Sequence, residues 1–162
     1  MKNEIISQYS ASLKMLMDTI KKCPEYVWNN DTYESAYWRL VYHALYYTAL
    51  YLSKNPDTFT PWSGHRDDYE NLGAIIHDNK PIIFEKIYTK EEMLAYAESI
   101  MAQCEIAVKE TTPGENSGFY WLSISRMEVH LYNIRHLQHH TGQLTERLHQ
   151  AGIKGIKWVK TG

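Results

Sequence analysis

Residues 121–150, WLSISRMEVHLYNIRHLQHHTGQLTERLHQ, decide how the chain reads. At about 100° per residue, Ile134, Leu137, Leu144 and Leu148 fall on one side of the helical wheel, with Glu128 and Glu146 away from it. The stretch is therefore an amphipathic helix from about Trp121 to Gln150, and Gly152 is placed to end it. Three further segments share this period. In 3–22, Ile6, Tyr9, Leu13, Leu16, Met17 and Ile20 form one apolar stripe, and Pro24 ends the helix. Segment 32–53 follows Asn29-Asn30-Asp31, where Asp31 and Glu34 have the spacing of a capping box. Its apolar residues (Tyr37, Trp38, Leu40, Val41, Leu45, Ala49, Leu50, Leu52) run nearly all the way round, as in a helix buried on more than one side. Thr89 and Glu92 form a second capping box, followed by Met93, Ala97, Ile100, Met101, Cys104 and Val108 to about Lys109.

Between the second and third helices, Pro56, Pro61, Gly64, Gly73 and Pro81 break any long pattern, leaving an irregular crossover over 54–89. Residues 111–118 read as a loop, and 155–162 as an extended tail that Trp158 anchors. Four amphipathic helices with one long crossover predict an all-α four-helix bundle, a single domain over 1–162. Such bundles build metal and ligand sites from inward side chains on facing helices.

Composition narrows the function classes. The chain has 162 residues, with 17 Lys+Arg against 19 Asp+Glu, a net charge of −2. That balance argues against a nucleic-acid partner, which calls for a basic patch. No run approaches the roughly 18 apolar residues of a membrane span, and the N-terminus lacks the apolar stretch of a secretory signal. Cys23 and Cys104, far apart and outside any C-x-x-C, suit a reducing cytoplasm. What stands out is 13 Tyr, 5 Trp and 8 His.

The last helix carries five of those histidines. His136 and His140, four apart, lie about 40° from one another, with Cβ atoms about 6 Å apart, and can share one metal ion. On the same wheel His139 points to water beside Glu128 and Glu146, His149 lies near Gln138, and His130 falls on the core stripe two turns earlier. A third ligand must come from another helix, and His43, within the most apolar one, is the candidate. The competing reading is a core histidine hydrogen-bonded to a tyrosine, since a bare buried ring costs about 1–3 kcal/mol. Residue 137 is Leu, so the glutamate base of H-E-x-x-H is missing, and Tyr47, Glu98 and the crossover are the remaining sources of a general base. Gln143 is either a partner of a ligand histidine or a surface amide. Trp62 and His65 read as loop packing or as a pocket mouth, and Arg66-Asp67-Asp68 with Glu70 as a solvated loop.

These residues in combination resemble a known family. His-Leu-Gln-His-His-Thr-Gly-Gln-Leu (136–144) resembles the H-x-x-x-H-x-G-Q signature of the DinB-like (DinB/YfiT) superfamily. Residues 88–96, Tyr-Thr-Lys-Glu-Glu-Met-Leu-Ala-Tyr, are similar to that family's entry into its third helix, and Tyr42-His43-Ala-Leu stands where its first histidine belongs. The family's common Arg after the last histidine is Thr141 here. The resemblance implies a DinB/YfiT-type four-helix bundle with a divalent metal, Zn or Ni, held by His43, His136 and His140. It implies a small hydrolase or a low-molecular-weight-thiol S-transferase acting on a small-molecule substrate, commonly as a homodimer. A non-catalytic metal- or small-molecule-binding protein of the same fold is the alternative. The all-round apolar helix 32–53 independently suggests a homodimer interface.

Overall fold

In the computed structural model of the chain, residues 1–73 and 83–162 are described. So is the backbone of a two-residue antiparallel pair, β1 (Ile76–His77) with β2 (Lys80–Pro81). The described residues are mostly helical: α1 (Lys2–Lys22), α2 (Glu25–Trp28), α3 (Tyr37–Leu52), α4 (Lys90–Glu110) and α5 (Arg126–Gln150). The four long helices each pack on two others, α1 and α3 both lying against α4 and α5. The core between them is built from Tyr9, Leu13, Leu16, Ile20, Leu45, Ile100, Leu137, Leu144 and Leu148. No described helix is long and apolar enough to cross a membrane.

Local chemistry explains where the elements start. The box at α4 is complete: Glu92 N–H donates to Thr89 Oγ1 at 3.2 Å, and Thr89 N–H to Glu92 Oε2 at 2.9 Å. The box expected at Asp31 is not used. Pro24 instead starts the short helix α2, whose Trp28 donates from Nε1 to the Tyr88 carbonyl at 2.8 Å. Asn30 then closes an Asx turn on Thr32 N–H at 2.9 Å, so α3 begins only at Tyr37. The last helix also starts later than its period suggested. Ser125 Oγ accepts from Glu128 N–H at 3.2 Å, a Ser-x-x-Glu signal legible in the sequence, while 119–124 form a loop. Arg126, nearly buried, donates to the carbonyls of Tyr51 and Leu52 at 3.0 Å each and so caps the C-terminus of α3. Gly118 (φ 83) lets this loop touch α3's exit, since a Cβ there would sit 1.9 Å from the Lys54 carbonyl oxygen.

Thirteen of the sixteen residues of α3 are buried within the one chain. The crossover supplies the cover: Tyr69, Phe84 and Tyr88 pack on Trp38 with ring centroids 5.8, 5.7 and 5.6 Å away, and Tyr88 lies 4.8 Å from Tyr42. The crossover thus covers α3 within the one chain, which removes the apolar α3 face as an argument for self-association, although Tyr26, Tyr120 and Trp158 stay exposed. The tail is extended, but Trp158 does not anchor it, being 74% exposed. Ile156 packs against the core instead, and Lys22 Nζ donates to the Gly155 carbonyl and Gly162 N–H to Ser7 Oγ. Cys23 and Cys104 are buried free thiols, and burial pushes each up to about 12, away from reactivity.

Candidate metal centre

α3 and α5 bring together three imidazoles that are 93 and 97 positions apart in sequence, 136 − 43 and 140 − 43. His136 Nε2 lies 3.2 Å from His43 Nε2 and 3.1 Å from His140 Nε2, and all three ligand atoms fall within 4.8 Å of one another. Two of the outer nitrogens explain why the inner ones are bare. His43 Nδ1–H donates to the Glu70 carbonyl at 2.6 Å, and a carbonyl can only accept, so Nε2 carries the bare lone pair. His140 Nδ1–H donates to Gln143 Oε1 at 2.8 Å, with the same consequence. His136 Nδ1 is buried with no partner.

His136 Nε2–H can donate to only one of the two bare nitrogens at a time, and a cation between the three rings would engage all of them once His136 carries its proton on Nδ1. Burial keeps the rings neutral, holding His43 down at about 4 and His136 at about 3, the latter helped by His140 and His43; His140 is lowered too. Two imidazole nitrogens on a tetrahedral Zn²⁺, at about 2.0–2.1 Å each, stand roughly 3.3 Å apart, close to the two separations that His136 makes. The donor set, the spacing and the hydrogen bonds behind two of the rings fit a metal ion, and the three histidines can hold one.

The remaining candidates separate cleanly. His139 and His149 are exposed, as the wheel places them. His130 is fully buried and satisfied, between Tyr9 OH at 3.2 Å and Thr111 Oγ1 at 2.8 Å. That is the core-histidine alternative, realised at His130 rather than at His43. Gln143 is the partner of a site histidine rather than an idle surface amide. His65 takes the packing role, its Nδ1 2.7 Å from Tyr42 OH and its ring stacked 5.2 Å from Tyr46.

Glu70 is what the sequence reading missed. Taken with its neighbours as solvated loop, it is half-buried and holds His43 through its backbone carbonyl. Asp68, at φ 68, turns the chain just before it; Asp tolerates this left-handed conformation, but nothing in the sequence singled it out. Burial raises the Glu70 carboxyl, and its Oε2 has no partner. Tyr47 forms one wall of the site, its ring 4.7 Å from His43 and 5.7 Å from His136. Glu98, the other suggested base, carries no contact to these residues. Compared with protein-family models, with curated proteins and with solved structures, the chain matches none.

Proposed function

We propose that the chain is a divalent-metal-dependent enzyme built as a DinB-type four-helix bundle, with Zn or Ni held by His43, His136 and His140. One observation carries the reading: three neutral imidazoles gather ring nitrogens within 4.8 Å of one another, His136 Nε2 lying 3.2 and 3.1 Å from His43 and His140 Nε2. A metal held there would lower the pKa of a bound water to about 7 or hold a thiolate. Glu70 and Gln143 keep two of the rings aimed, so the ligands are set before any ion arrives. His43 and His136 each retain some exposed surface, which supports an open, catalytic site over a closed structural one. Leu137 leaves the helix without a built-in glutamate base, which disfavours zincin-type proteolysis.

The reaction class we propose is hydrolysis of a small molecule or transfer to a low-molecular-weight thiol, in the cytoplasm. The test is metal analysis of purified protein, followed by a survey of ester, amide and thiol substrates. About one divalent ion per chain is expected. His43→Ala should lose the ion to a competing chelator, because two imidazoles hold it more weakly than three. Full retention by His43→Ala overturns the ligand set. The homodimer is proposed on the family resemblance alone, and light scattering reads it directly: two chains of 19.0 kDa against one.

A further inference from the structure

A trough of about 250 Å³ opens beside the histidine cluster, lined by Tyr132, Arg135, His136 and His139. One of its lining residues is therefore a member of the triad. The trough carries positive charge and no negative charge. Arg135 is exposed and lies with its guanidinium 5.3 Å from the Tyr132 ring centroid, which orients the group without using its N–H edges. Among the described residues Arg135 has no carboxylate partner. The acidic residues of α5, Glu128 and Glu146, lie 7 positions before it and 11 after, out of reach of the i,i+3 and i,i+4 pairing that neutralises a helical arginine. Elsewhere on the described surface Arg66 pairs with Glu85, Lys86 with Glu92, Lys90 with Glu25 and Lys109 with Glu105.

We propose that this trough is an oxyanion subsite: Arg135 receives the carboxylate of a substrate whose reacting group lies at the triad. The inference rests on the metal reading of the triad and names the substrate class, a small carboxylate-bearing molecule. A guanidinium with a free planar edge matches a carboxylate with two parallel N–H···O bonds. Three neutral imidazoles contribute no negative charge, so a divalent ion held by them would add to the attraction. Tyr132, under Arg135, gives the carbon skeleton an aromatic wall.

The experiment separates the subsite from the metal. Metal content is measured first; then the monohydroxamates of succinic, glutaric and adipic acids are titrated against the Co(II)-loaded protein beside acetohydroxamate, using the visible Co(II) spectrum. The hydroxamate end is common to all four probes, so the affinity ratio isolates the carboxylate. At least one of the longer probes should bind tenfold or more tightly than acetohydroxamate. Arg135→Gln should bring that ratio to within about twofold of one, with metal content unchanged, and Arg135→Lys should restore part of it. A wild-type ratio near one, or a ratio that survives Arg135→Gln, overturns the subsite while the metal reading stands. A phosphonate of equal length binding more tightly than the carboxylate overturns the substrate class. A wild-type protein that takes up no metal overturns the metal reading and this inference with it.

Discussion

His136→Leu tests whether the triad is a metal site or ordinary core, because a metal site loses stability only when metal is present. In the metal-free protein His136 is half satisfied: Nε2–H can donate to one of the bare nitrogens of His43 and His140, at 3.2 and 3.1 Å, while the buried Nδ1 has no partner among the described residues. An unsatisfied buried polar group costs about 1–3 kcal/mol. Leucine has a similar volume and removes the unpartnered Nδ1, but it also removes the donor to His43 or His140, so the two effects offset and His136→Leu should leave the metal-free protein within about 1 kcal/mol of wild type. For a chain of this length each kcal/mol moves Tm by about 2–4 °C, so the expected change is at most about 4 °C. The same substitution should abolish the stabilisation that metal gives. An ion at 100 times its Kd adds about 2.7 kcal/mol, or roughly 5–11 °C, to a protein that can bind it. Differential scanning calorimetry of both proteins, after chelation and after adding back Zn²⁺ or Ni²⁺, reads all four states. If metal-free His136→Leu falls by more than about 1 kcal/mol, the histidine is satisfied core, and if added metal raises both proteins equally, His136 is not a ligand.

Three further outcomes are expected. The folded-state values of His43 and His136, about 4 and about 3, lie below the ordinary 6.5, so from about pH 6.5 downward the unfolded chain takes up protons that the folded chain refuses. The metal-free protein should therefore lose stability as pH falls from about 6.5 toward 4, by at most about 1.4 kcal/mol per unit for each histidine; urea midpoints at pH 7, 6 and 5 that do not move would contradict this. Gln143→Leu removes the acceptor behind His140 Nδ1 and should weaken metal binding by about 10–100-fold, and chelator competition giving the wild-type affinity would remove Gln143 from the site. His139→Gln alters an exposed ring, so metal content should hold and stability should stay within about 0.5 kcal/mol; a loss of metal matching that of His140→Ala would refute the placement of that ring.

Much of this was legible in the chain because helical geometry is local. The period of Ile134, Leu137, Leu144 and Leu148 sets the inward face of α5, and residues four apart on a helix are neighbours whatever surrounds them. His136 beside His140, and His139 toward water, follow from spacing alone, as does the complete Thr89–Glu92 box. The cap at Ser125 was equally readable, and the longer apolar period hid it. Tertiary structure decided the rest. Asp31 has the chemistry of a cap, yet α3 starts six residues later, because α2 and the Asn30 turn take up the intervening chain. His43 and His130 are alike in sequence, each a histidine on an apolar helix. One meets Tyr9 and Thr111 in the core and the other meets two histidines at its edge, and only the packing of α3 and α1 against α5 tells them apart. Glu70 supports His43 through a backbone carbonyl, a group every residue owns, so no side-chain pattern could reveal it; the path of the crossover through Asp68 placed it there.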